Sequence, residues 1–197
     1  NRFVTWYQFN PPDVGAHTAQ VLALVGRGLS WQDASERAQQ DDPASAGNGS
    51  LMRAWPIAVA RHEQPGLLIA ESRLQSQITH AHEDCVNACV FLNLVLADLI
   101  HRDLSKPPNL ALRESVASSL SKVSLGRDFE LVLQLAPVRQ RQQLKNSGWV
   151  RHTLESALWA TLNSQSFEEA LVNAVNLGND ADTTGCVTGA IAGAMYG

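Results

Sequence analysis

Apolar positions along this chain recur at helical spacing, and no alternating strand pattern of useful length interrupts them. In AHTAQVLALVGRGL, the residues Ala19, Leu22, Ala23 and Val25 or Gly26 fall on one stripe, which Gly26 and Gly28 end. SWQDASERAQQ opens with Ser30, and Asp33 three residues on makes an imperfect capping box. A Gly/Asn turn then leads into LMRAWPIAVARH, where Pro56 predicts a helix start nearby. From Pro65 to Arg102 the pattern predicts two helices that meet near Thr79–His82. The second carries CVFLNLVLADLI, is apolar nearly all round, and is expected to be a buried central helix. KPPNL reads as a linker. SFEEALVNAVNLG places Ser166 and Glu169 as a capping box and ends at Gly178. The opening NRFVTWYQFN has no initiator Met and begins inside an apolar-periodic segment, as a chain cut within a helix would. The expected fold is all-α, one compact domain over residues 1–197.

Charge narrows the partners. Fifteen basic and 19 acidic side chains give a net charge of −4, which offers no electrostatic footprint for nucleic acid. The one basic stretch, RQRQQLK from Arg139 to Lys145, lacks aromatic interleaving and reads as a solvated loop or helix face. The longest apolar run is broken by Asn93 and Asp98 and is too short for a membrane span. Three cysteines, Cys85, Cys89 and Cys186, make an odd number, so disulfides are not expected and a reducing, cytoplasmic compartment is.

The chemistry gathers in three stretches. In LGNDADTTGCVTGAIAGAMYG, Gly178 and Asn179 end one helix and Thr183 or Thr184 begins the next, so Asp180 and Asp182 fall on the turn between. They suit a helix N-terminus as mere caps. Two carboxylates and a hydroxyl also supply three hard oxygens, a set that suits Mg²⁺ or Ca²⁺ and not Zn²⁺ or copper. Gly185, Gly189 and Gly193 share one face of that final helix. Each costs about 0.5–1 kcal/mol relative to Ala, which close packing of another helix would offset. In SAGNGSLMR, Gly47, Asn48 and Gly49 suit positive φ, giving either an ordinary loop or an anion site at a helix start. In THAHEDC, His80 is either a satisfied boundary histidine or a ligand-pocket donor, and His82, Cys85 and Cys89 match no standard zinc spacing.

Together, GNGSLMRAWPIAVA, ITHAHEDCVNA and SFEEALVNAVNLGNDADTTGCVTGAIAGAMYG resemble the ADP-ribosylglycohydrolase family, in order and separation as well as wording. The resemblance covers nearly the whole chain and implies that family's orthogonal helical bundle around two Mg²⁺ ions. It implies metal ligation by Asp180, Asp182 and Thr183. It places ADP-ribose against Gly15, Ala16 and His17, against Ala46, Gly47, Asn48, Gly49 and Ser50, and near His80. The implied reaction is hydrolysis of the bond between ribose and a modified side chain, arginine by the wording of the motifs. The family's N-terminal Gly/Asp-rich segment and Thr-Asp-Asp motif have no counterpart here, so no catalytic carboxylate is assigned. The chain therefore reads as an N-terminally truncated member. One expectation is an enzyme whose missing segment is cleaved, disordered or carried on a second chain. The other is a catalytically incomplete relative that binds ADP-ribose or plays a structural role.

Overall fold

Proline, serine and glycine punctuation sets most of the helix boundaries in the computed structural model, which describes residues 2–197. Asn1, the first residue of the apolar opening segment, lies outside the described residues. The elements in chain order are α1 (Arg2–Gln8), α2 (Ala16–Gly26), α3 (Trp31–Asp41), α4 (Pro56–Arg61), α5 (Pro65–Gln77), α6 (Glu83–Ile100), α7 (Pro108–Leu120), α8 (Arg127–Leu135), α9 (Val150–Leu162), α10 (Phe167–Val175) and α11 (Ala181–Tyr196). Two short 3₁₀ turns, Ala136–Val138 and Arg141–Gln143, join α8 to α9. Among the described residues the only β feature is an isolated antiparallel bridge between Gly47 and Trp149.

The caps behave as their chemistry requires. Ser30 Oγ accepts from Asp33 N at 3.0 Å, and its own proton goes to Asp33 Oδ2. Ser166 Oγ accepts from Glu169 N, while the Glu169 carboxylate reaches past the cap to Gln165 N at 2.7 Å. Pro56 and Pro65 open α4 and α5, where a missing N–H costs nothing. The same rule overturns the linker reading of KPPNL: Pro107 caps α7 and Pro108 is its first residue. The α2 stripe also shifts. Val21 and Leu22 are the buried pair, because α2 is covered by α1 on one side and α3 on another. The basic stretch is only partly solvated, since Arg139 pairs with the buried carboxylate of Glu155 at 3.0 Å.

α6 is the buried axis. α4, α5, α7, α9 and α11 all pack on it, and Phe91, Leu92 and Leu99 are inaccessible to water. Its buried Asn93 donates to Ser72 Oγ at 2.7 Å, while its Oδ1 has no hydrogen-bond partner among the described residues. Cys85 and Cys89 are core residues too, bonded to Gly47 O and Ser50 Oγ, so neither joins His82, whose ring accepts from Asp84 N at the start of α6.

α10 lies along the glycine face of α11. A Cβ built on Gly185, Gly189 or Gly193 would meet Val175, Leu171 or Phe167 at 3.4, 3.5 and 3.9 Å. Those are ordinary van der Waals separations, so the face holds the two helices close yet leaves room for a methyl group. Gly189→Ala is therefore expected to stabilise the chain by about 0.5–1 kcal/mol, read as a higher urea midpoint. A lower midpoint would show that the helices sit too close for any side chain.

Candidate functional site

Two residues in left-handed conformation, Gly178 (φ 74°) and Asn179 (φ 52°), turn the chain sharply between α10 and α11. Glycine has no Cβ to clash there, and asparagine tolerates the region better than most residues. The turn delivers Asp180 to the N-cap of α11 and Asp182 into its first turn, so the helix starts two residues earlier than Thr183. Asp180 makes no capping bond with its side chain. Its Oδ2 instead accepts from Asn48 Nδ2 at 2.5 Å.

That bond ties the carboxylate turn to the Gly-Asn-Gly turn. Asn48, 8% exposed, also donates to Thr153 Oγ1 at 2.7 Å, and its backbone N–H donates to Gly148 O. A second buried amide works from the other side. Asn146 Nδ2 donates to Gly178 O at 2.6 Å, and Asn146 Oδ1 accepts from Thr184 Oγ1 at 2.5 Å. The two asparagines thus brace the segment that carries Asp180, Asp182 and Thr183 on both flanks.

The glycines at 47 and 49 serve a different purpose from the positive φ that their sequence suggests. Neither they nor Asn48 adopt positive φ; among the described glycines only Gly28 and Gly178 do. The His80 ring lies against them. A Cβ on Gly49 would stand 3.0 Å from His80 Cε1, and one on Gly47 3.5 Å from His80 Nε2. At Gly49 only a residue without a side chain lets the backbone approach the imidazole that closely, whereas Gly47 leaves ordinary van der Waals room.

His80 is 3% exposed, and its ring lies tilted by 46° against that of His17 at 5.1 Å between centroids. Arg53, half-buried and under the ring of Phe3, donates to Gly49 O, Gln75 O and Thr79 Oγ1. Arg53 can only donate, so Thr79 Oγ1 is free to give its own proton to His80 Nδ1, 2.7 Å away. That direction of the bond corresponds to the neutral tautomer protonated at Nε2. Burial first, then the nearby Arg53 charge and His17, lowers the His80 pKa from 6.5 to about 3. The unfolded chain therefore binds the extra proton between those two values. The contribution of neutral His80 to stability is complete above pH 6.5 and is lost as the pH falls toward 3. The expected outcome is a His80 ring whose NMR shifts do not titrate between pH 8 and 5. A midpoint near 6.5 would show the ring open to water. Burial lowers the His17 pKa as well, against a hydrogen bond to the Thr79 backbone and the charge of Asp42. His17 Nε2 is buried with no hydrogen-bond partner among the described residues.

These groups border one cavity of about 950 Å³. Of the residues expected from the sequence, Gly15, Ala16, His17, Gly47, Asn48, Gly49, His80, Asp180, Asp182 and Thr183 line it. Ala46 and Ser50 stand behind the turn. Ala46 O accepts from Val150 N, and Ser50 Oγ accepts from Ser76. The lining also includes Phe3, Trp6, Met52, Arg53 and Gly148, which sequence reasoning did not single out. Arg53 lies four residues after Gly49, within the stretch already read as unusual. Asn146-Ser147-Gly148 is a turn signal, but nothing local says that Asn146 will reach the distant carbonyl of Gly178.

The donors on the carboxylate side are hard oxygens: Asp180 half-buried, Asp182 exposed and Thr183 buried. Among the described residues no cluster of three or more His, Cys, Asp or Glu side chains could hold a metal ion. The set fits a hard divalent cation whose remaining coordination comes from outside these side chains, and it does not fit a soft-metal cage. No helix among the described residues is long and apolar enough to cross a membrane.

Comparison with known proteins places this geometry in context. The family model for ADP-ribosylglycohydrolase matches residues 1–197. The chain is 32% identical to the ADP-ribosylarginine hydrolase Tri1 of Pseudomonas putida (strain GB-1), aligning over 100% of this chain and 52% of that protein. It is 30% identical to the ADP-ribosyl-dinitrogen reductase glycohydrolase of Rhodospirillum rubrum, over 99% of this chain and 59% of that one. A solved structure, an ADP-ribosylglycohydrolase-related protein complex, superposes with a TM-score of 0.73 at 29% identity, covering 100% of this chain and 62% of the other. The chain thus spans about half the length of the curated relatives it matches.

Proposed function

The chain belongs to the ADP-ribosylglycohydrolase family, and from that premise we propose that its cleft binds ADP-ribose and serves Mg²⁺-assisted removal of ADP-ribose from modified arginine side chains. The observation that carries this reading is the convergence of Gly47, Asn48, Gly49, His17 and His80 with Asp180, Asp182 and Thr183 on one cavity. The donor side and the carboxylate side face the same space, as a ligand with a diphosphate and a reacting ribose requires.

The residues divide the work by their chemistry. Backbone N–H groups of the 47–49 turn and of the first turn of α2 suit a diphosphate. Arg53 adds positive charge behind that turn, and among the described residues its hydrogen bonds go to Gly49 O, Gln75 O and Thr79 Oγ1 and to no carboxylate. The unpartnered Nε2 of His17 offers a hydrogen-bonding position to the bound nucleotide. Asp180, Asp182 and Thr183 would hold Mg²⁺, which when bound would orient the ribose hydroxyls and make a bound water more acidic. In the hydrolysis, water adds to that carbon, the carbon–nitrogen bond to the guanidine breaks, and the leaving group takes the proton. The carboxylate that receives the water's proton is not assigned on this chain. A cytoplasmic setting and a single functional unit over residues 1–197 belong to the same reading.

The test is calorimetric titration of the chain with ADP-ribose, with and without Mg²⁺. The expected result is saturable binding that strengthens when Mg²⁺ is present. Absence of binding in both conditions would remove the cleft as an ADP-ribose site on this chain.

A further inference from the structure

His62 and His101 meet on the surface, and neither borders the cleft. His62 is the C-cap of α4 and His101 the C-cap of α6. The packing of α4 on α6 sets the two rings at 4.9 Å between centroids, with His62 Nδ1 2.9 Å from His101 Nε2. We propose that this pair is a transition-metal site that takes Cu²⁺ or Ni²⁺ through the two facing nitrogens, with water completing the coordination.

Three observations carry it. The first is ligand type: neutral imidazole suits copper, nickel and zinc, where Mg²⁺ and Ca²⁺ take oxygen. The second is spacing. Two nitrogens about 2.0–2.1 Å from one ion stand about 2.9 Å apart at a right angle, and about 3.3–3.4 Å apart at the tetrahedral angle. The observed 2.9 Å is a hydrogen-bond length, and it holds the two nitrogens within the span that one ion bridges, the choice of Cu²⁺ and Ni²⁺ resting on their preference for imidazole nitrogen in square-planar or tetragonal sites. The third is electrostatic. Both rings sit where helices end, and each C-terminus presents roughly half a negative charge to a cation. The neighbouring cations are held by other partners: Arg61 by Glu71, and Arg102 by the carbonyls of Ala194 and Gly197. Glu63 and Asp98 are near in sequence, with Asp98 facing Lys122 at 3.7 Å. Among the described residues no third metal-ligating side chain joins the pair, so the protein supplies two ligands.

The proton of the present N–H···N contact does not stand in the way. The tautomers protonated at His62 Nε2 and His101 Nδ1 leave both facing nitrogens with lone pairs, and exposed rings can turn to aim them at one ion.

The experiment is a Ni²⁺ titration of the untagged chain at pH 7.5 by calorimetry, with Cu²⁺ electron paramagnetic resonance beside it. The expected result is one saturable Ni²⁺ per chain, persisting in millimolar Mg²⁺, and a tetragonal Cu²⁺ spectrum coupled to two nitrogens. His62→Ala and His101→Ala should each weaken Ni²⁺ binding at least tenfold, and both positions are exposed enough to leave folding intact. The proposal is overturned if the chain binds no Ni²⁺ saturably, if either variant binds as the parent does, or if Mg²⁺ displaces the ion, which would place it at the carboxylate turn.

Discussion

Asp182→Ala is expected to abolish the rise in thermal midpoint that Mg²⁺ confers, and to weaken Mg²⁺-dependent ADP-ribose binding at least tenfold. Asp182 is the exposed carboxylate of the pair and lies in the first turn of α11. Its loss removes a favourable charge from a helix N-terminus, about 0.3–1 kcal/mol, so the metal-free variant should unfold only slightly earlier than the parent. The turn itself is held by other groups, the amides of Asn48 and Asn146. The effect on ligation should therefore separate cleanly from the effect on folding. Differential scanning fluorimetry with and without Mg²⁺ reads both, and a midpoint shift as large as the parent's would end the metal assignment.

Asn48 should respond in a different pattern. Its amide is buried and joins Thr153 Oγ1 to Asp180 Oδ2. Asn48→Ala leaves the buried Thr153 Oγ1 and the half-buried Asp180 carboxylate short of a donor, which costs about 1–3 kcal/mol. Asp180 then loses its fixed orientation, so ADP-ribose binding should fall along with stability. Asn48→Asp sharpens the test. It sets a second carboxylate against Asp180 Oδ2, where the amide now sits at 2.5 Å. Like charges at that range repel, so the metal-free variant should be less stable than Asn48→Ala. A divalent cation would relieve the repulsion, so Mg²⁺ should raise the midpoint of Asn48→Asp by more than that of Asn48→Ala. Equal responses to Mg²⁺ in the two variants would show that no cation binds beside Asp180.

Much of the helical architecture could be read from the chain. Ser30, Pro56, Pro65 and Ser166 mark helix starts through interactions that span three or four residues, so a sequence window contains the whole cause. The burial of α6 follows likewise from an apolar run with no polar stripe. The glycines at 47 and 49 show where local reasoning stops. Their type was legible as a turn signal or an anion site, but what lies against them is His80, some thirty residues on. Its ring position depends on where α5 and α6 pack.

The division has a physical basis. The sequence by itself determined the all-α class, the Ser30 and Ser166 caps, the candidate residues of the carboxylate and Gly-Asn-Gly turns, and the family to which those motifs point. Each of these depends on short-range geometry or on residue type. Only the tertiary structure decided that Asn48 would bond to Asp180, 132 residues away, that Asn146 would brace the same turn, and that Arg53 would lie under Phe3 beside His80. Those bonds exist because packing around α6 brings distant segments to within hydrogen-bonding distance. A bond of about 3 Å is set by the sum of many helix contacts, which no single stretch of the chain contains.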